Sequence, residues 1–179
     1  SATATMPFYR HMHIPGIDHL TANLGWTAGA LTGSGTPDFV VTPKQCSSVA
    51  HQRGIRQVLC EMYGVSSQNL SLDDQRFIAA FMAVQGVSVR CLHGSFYSMA
   101  GRRKRIYVPH LSYQQPWWPH SRLLAKRFHS VATALTKGKH AANILVLHPL
   151  ESAFCHVVPG HGTTGEVAQL DAHLLSVCR

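Results

Sequence analysis

A chain of 179 residues is long enough for one domain or parts of two, and its 45% hydrophobic content supports a packed core and excludes a disordered chain. Charged residues make up only 13%, against about 25% in an ordinary soluble domain, so part of the surface is expected to be covered by further chain. The formal charge of +8 is scattered apart from Arg102-Arg103-Lys104-Arg105; with no nucleic-acid motif around that run, no nucleic-acid partner is expected. No apolar stretch reaches the ~18–20 residues of a membrane span, so no membrane partner is expected either.

The N-terminus, SATATMPFYR, has no initiator Met, basic segment or apolar segment of a signal peptide. The C-terminus stops after HLLSVCR, inside a helical pattern. The expectation is an internal piece of a larger protein, cut at both ends.

HMHIPGIDHL follows, with Asp18 just after Pro15-Gly16. Asp18 suits either a helix cap or a substrate contact. His11, His13 and His19 around it form a weak metal signal, without a helix-spaced HExxH, so the metal reading stays secondary. GWTAGALTGSGTPDF has no helix or strand period and reads as a loop.

TPKQCSSVAHQRG predicts a helix with Thr42 as N-cap, Pro43 at its first position and Gly54 closing it. IRQVLCEMYG predicts a buried strand over Arg56–Cys60, ending at Glu61. SLDDQRFIAAFMAVQG predicts a second helix: Ser71 caps it, Asp73 and Asp74 complement the dipole, and Phe77, Ile78, Phe81 and Met82 are its apolar positions before Gly86 stops it. VSVRCLHG is a further short strand. A long loop runs from Ser95 to about Pro119, then WPHSRLLAKRFHSVATALTKG reads as an amphipathic helix closed by Gly138. NILVLHP predicts an apolar strand and EVAQLDAHLLSVC a last helix.

Cys46, Cys60, Cys91, Cys155 and Cys178 are odd in number and lack CxxC spacing, so buried, unpaired thiols are expected.

Alternation of strand and helix predicts a parallel α/β sheet with right-handed crossovers. A dinucleotide-binding open sheet would carry a glycine-rich turn after its first strand, and none is present. Polar residues instead follow the strands (His13 and Asp18, Glu61, His93), as at the C-terminal mouth of a (β/α)8 TIM barrel. The fold expectation is α/β, the C-terminal part of such a barrel.

Glu61 is the candidate catalytic carboxylate. Of the eight acids, Asp73 and Asp74 belong to a helix start, Asp38 to a loop, and Glu151, Glu166 and Asp171 to the last segment. Only Asp18 and Glu61 remain for a barrel mouth. A salt-bridged strand-end Glu is the competing reading. His93, Tyr97, Arg102, Arg103 and Trp117 are candidate sugar contacts, since aromatic faces suit sugar C–H surfaces and guanidinium groups donate to several hydroxyls. For His93 the competing role is a side chain satisfied by its neighbours; for Trp117 and Trp118 it is packing beneath the loop. No GxSxG supports a serine nucleophile, and alternation turns Cys60 away from the mouth.

The succession HIPGIDHL, TPKQCSSVAHQRGIRQVLCEMYGV, SLDDQRFIAAFMAVQGV, CLHGSFYSMAGRRKR and YQQPWWPHSRLLAKRF covers most of residues 8–130. It resembles bacterial α-L-rhamnosidase-type glycoside hydrolases, especially glycoside hydrolase family 106. The resemblance implies that residues 1–138 are the C-terminal part of a barrel catalytic domain, with IRQVLCE on the seventh strand and VSVRCLH on the eighth. ILVLHPLESAF then resembles the opening strand of a glutamine-amidotransferase-like α/β domain, so residues 139–179 would begin a following domain. Further implications are that Glu61 is one of two paired catalytic carboxylates, inverting in outcome, in an exported (secreted or periplasmic) enzyme that removes terminal α-L-rhamnose or a related sugar. Its partners would be the carbohydrate substrate and the remainder of the barrel, including the second carboxylate. No cofactor is expected within this chain, and a Ca2+ near the sugar in the complete enzyme. Two other classes stay open: a non-catalytic carbohydrate-binding remnant, and a basic nucleic-acid binder acting through residues 102–105.

Overall fold

The computed structural model of the chain describes residues 5–19, 38–158, 162–163 and 165–178. After a short helix α1 (Thr5–Tyr9), three strands, β1 (Gly16–His19), β2 (Leu59–Met62) and β3 (Val89–Leu92), form one sheet in the order β1-β2-β3, every pair parallel. The helices α2 (Asp38–Gln52) and α3 (Leu72–Val84) make the crossovers, and α4 (Ser121–Lys137) packs beside α3. The parallel α/β expectation is met, with the helices on one side of the sheet.

The core explains the one-sidedness. Along β2 burial alternates: Cys60 and Met62 are fully buried, whereas Leu59 and Glu61 are half-buried. Cys60 and Met62 meet Cys46, Val49 and Ala50 of α2 and Ile78, Ala79, Met82 and Ala83 of α3 in one apolar cluster. Successive strand side chains point to opposite faces, so Leu59 and Glu61 face away from the helices.

Several local expectations need correction. α2 begins at Asp38, and Pro43 lies inside it rather than following a Thr42 cap. Pro43 is the sixth residue of α2, beyond the first four whose N–H groups have no intrahelical partner, so it removes one ladder bond in the second turn of a helix that continues to Gln52. β2 starts at Leu59, not Arg56, and contains Glu61 instead of stopping before it. On α3 the buried face is Gln75, Ile78, Ala79, Met82 and Ala83, with Phe77 exposed.

Ser71 does cap α3. Its hydroxyl accepts from Asp74 N–H at 3.0 Å, and the Asp74 carboxylate accepts from Ser71 N–H at 3.0 Å. Ser71→Ala is expected to lower stability by about 1 kcal/mol, read as a lower urea midpoint with unchanged slope.

NILVLHP does not form a strand. Residues 139–149 form neither helix nor strand, and Ile144, Leu145 and Leu147 are 84%, 85% and 82% exposed. Apolar content favours burial but cannot supply a partner, and among the described residues no strand lies alongside. Beyond this segment come a short helix α5 (Leu150–Phe154), a two-stranded antiparallel ribbon of β4 (Val157–Val158) with β5 (Gly162–Thr163), and α6 (Gly165–Cys178). Of these only α6 is visible as a sequence pattern. Among the described residues no cysteine is in a disulfide; Cys46 and Cys60 are buried, but Cys91 and Cys155 are exposed and Cys178 is intermediate. Burial therefore holds for only part of the set.

Candidate active site

The register of the sheet assembles the site. Asp18 pairs with Glu61, and Glu61 with Cys91, so the three stand in one row across β1, β2 and β3. Paired residues of parallel strands share a face, with neighbouring backbones about 4.8 Å apart. Asp18, Glu61 and Cys91 thus lie on the face that the helices leave uncovered, near the C-terminal ends of the strands. Asp18 is exposed and Glu61 half-buried. The helix-cap option for Asp18 is not realised: it is a strand residue.

The chain immediately after Glu61 is held in an unusual shape. Tyr63 has φ +77° and Val65 φ +57°, values that non-glycine residues, and β-branched ones above all, rarely adopt. Packing holds the turn in place. The Tyr63 ring is fully buried, its hydroxyl donates to Gln75 O at 2.9 Å, and it accepts from Arg90 Nη1 at 3.3 Å. Ser66 Oγ also donates to Tyr63 O. Arg90 in turn lies 5.2 Å over the Phe128 ring of α4. Burial raises the pKa of Tyr63 and the Arg90 cation opposes that rise. This strut on the helix side fixes the end of β2 while leaving the Glu61 side open.

The loop after β3 leaves from the same end of the sheet. His93 N–H donates to Met62 O at 2.9 Å, so the ladder continues one residue past β3. The His93 side chain is half-buried, with Nδ1 buried and lacking a hydrogen-bond partner among the described residues. The neck of the loop is closed by Gly94 N–H to Pro109 O at 3.4 Å and Leu111 N–H to Gly94 O at 2.8 Å. Its tip carries Tyr97, which is 99% exposed, and a 3-10 turn over Gly101–Lys104 whose Arg102 and Arg103 side chains are exposed. Trp117 is placed differently from the other candidates: it is half-buried and packs against the core cluster, which is the packing role.

Two residues escape a sequence reading. Gln68, in the β2–α3 loop, donates to Lys104 O at 3.3 Å and accepts from His110 N–H and from Gln115 Nε2, both at 3.1 Å. One side chain thereby ties the loop after β3 to the loop after β2. His110 is fully buried; its Nδ1 accepts from Phe96 N–H at 2.9 Å, which puts the ring proton of a neutral imidazole on Nε2. Burial lowers its pKa, which favours the neutral ring. Glutamine in a polar loop carries no pattern; its role appears only when the loops meet.

Among the described residues no group of three or more His, Cys, Asp or Glu could hold a metal ion; the His19 side chain of the HMHIPGIDH segment lies outside the described residues. No described helix is long and apolar enough to cross a membrane.

No family model matches the sequence, and no curated protein matches it. Among solved structures, the chain is similar in fold to a rhamnosidase from Novosphingobium sp. PP1Y, with a TM-score of 0.61 and 20% sequence identity over 75% of this chain. The chain spans 13% of the length of that enzyme. The relationship is one of fold, an α/β arrangement shared with part of a rhamnosidase.

Proposed function

We propose that this chain is the late-strand portion of a (β/α)8-barrel glycoside hydrolase that removes terminal α-L-rhamnose or a related sugar, with residues 139–179 opening a following α/β domain. The single observation carrying the proposal is the row of Asp18 and Glu61 on the uncovered face of a parallel sheet, at its C-terminal end. In a closed barrel that face is the interior, and that end is where substrate is processed. The fold likeness to a rhamnosidase supports it.

Glycoside hydrolysis needs one carboxyl group to protonate the leaving oxygen and another to activate water or attack the anomeric carbon. Glu61 serves as one of the two, the other coming from a different barrel strand. Asp18 offers acceptors to sugar hydroxyls beside it. His93, Tyr97, Arg102 and Arg103 reach the sugar from the loop after β3. The described residues supply no ligand cluster for the Ca2+ that the family resemblance implies, and no step here depends on it.

The test is hydrolysis of 4-nitrophenyl α-L-rhamnopyranoside by the complete protein. Nitrophenol release is expected, and His93→Ala should lower kcat/KM at least about tenfold, ~1.4 kcal/mol of transition-state stabilisation. No release from this substrate or from related 6-deoxyhexosides would sink the proposal.

A further inference from the structure

We propose that the neutral His110 imidazole is a pH-sensitive lock on the loop after β3, which it holds shut at neutral pH and releases in acid. The lock is a property of the loop itself; only its effect on a sugar site rests on the glycosidase reading.

His110 is fully buried where the two arms of the loop meet. Its Nδ1 accepts from Phe96 N–H at 2.9 Å, its N–H donates to Gln68 Oε1 at 3.1 Å, and its O accepts from Gln115 Nε2 at 2.8 Å. The ring also stacks on Phe96, with centroids 5.3 Å apart. One residue thus joins the outgoing arm to the returning arm and ties both to the β2–α3 loop. Of these contacts the bond at Nδ1 depends directly on protonation. A proton there would turn the acceptor into a donor facing another donor, and Phe96 N–H would lose its partner.

No neighbouring group compensates that proton. Nε2 is buried without a hydrogen-bond partner among the described residues. The groups that hydrogen-bond or stack with His110, namely Gln68, Phe96 and Gln115, are uncharged. The same loop carries His93, Tyr97, Tyr107 and the cationic run Arg102–Arg105, and no carboxylate occurs between Asp74 and Glu151 in the sequence. Among the described residues nothing makes an ion pair with His110. Burial lowers the pKa of the ring, whereas in an opened loop water reaches it and it titrates near its ordinary value of ~6.5. Above that pH both forms are neutral and pH has no effect. Below it the open form binds a proton that the closed form does not, so opening becomes about tenfold easier per pH unit until the closed form also titrates. The loop that presents Tyr97, Arg102 and Arg103 at the Asp18–Glu61 end of the sheet is therefore ordered only while His110 is neutral.

The test follows hydrogen exchange in the segment 94–111 of the complete protein by mass spectrometry, from about pH 7.5 to about pH 5. Rates are corrected for the intrinsic pH dependence of amide exchange, and α3 serves as the reference. Protection of the segment is expected to be flat above about pH 6.5 and to fall about tenfold per unit below it, while α3 stays protected. His110→Asn places an amide oxygen where Nδ1 stands and cannot titrate, so its segment should show no acid limb. His93→Asn, which removes the neighbouring histidine, should retain the limb. A flat wild-type profile, the same limb in His110→Asn, or loss of the limb in His93→Asn would each overturn the lock. Where His110→Asn does not fold, the wild type and His93→Asn decide. Hydrolysis of the aryl rhamnoside is scored separately. Its absence refutes the glycosidase reading and leaves the lock standing, whereas a flat exchange profile refutes the lock and leaves the glycosidase reading standing.

Discussion

Glu61→Gln in the complete enzyme is expected to lower kcat by at least ~10³-fold while leaving Tm and sugar affinity nearly unchanged. Gln keeps the shape and can still hydrogen-bond, but it cannot give or take a proton at the scissile oxygen or at the attacking water. The structural alternative is an ion-pair Glu, whose replacement would lower Tm and spare turnover. Among the described residues Glu61 makes no ion pair, and it faces away from the helix-packed core. Measuring kcat and Tm on the same purified variant separates the two roles. Near-normal turnover would remove Glu61 from the chemistry.

The largest stability effect is expected at Gly86, where α3 turns into β3. Its φ is +103°, and an added Cβ would lie 2.6 Å from the Ser47 Cβ of α2. Gly86→Ala therefore combines a backbone conformation hostile to L side chains with a collision between two packed elements. A loss of roughly 2–4 kcal/mol follows, lowering Tm by roughly 5–15 °C in a domain of this size. Thermal unfolding of variant and parent checks it. Pairing Ser47→Gly with Gly86→Ala should recover the collision share but not the backbone share. No recovery would show that the contact matters little.

What was legible in the sequence was whatever a short window decides. The Ser71 cap, the stop at Gly86 and the strand run around Glu61 are each set by a handful of neighbours, and each lies at or within three residues of its expected place. The order of strands and crossovers followed from alternation, since helices joining parallel strands leave little topological choice. What failed depended on partners distant in sequence. NILVLHP has the composition of a buried strand but no neighbour among the described residues to complete it. Phe77 falls on the helical spacing of the apolar residues, yet it is exposed, and the buried face of α3 is Gln75, Ile78, Ala79, Met82 and Ala83. Of the candidate site, Glu61 and Asp18 could be named one by one; that they stand side by side is a matter of register, which no single strand encodes.

The double grip of Gln68 also limits how this scaffold can be remodelled. Because one side chain holds both the carbonyl of Lys104 and the N–H of His110, the segment between residues 94 and 111 is not a self-contained cassette. A replacement loop grafted between those points would arrive without its clasp unless position 68 and the loop around it were redesigned together. Libraries that vary both loops at once should yield ordered variants more often than libraries that vary either one alone.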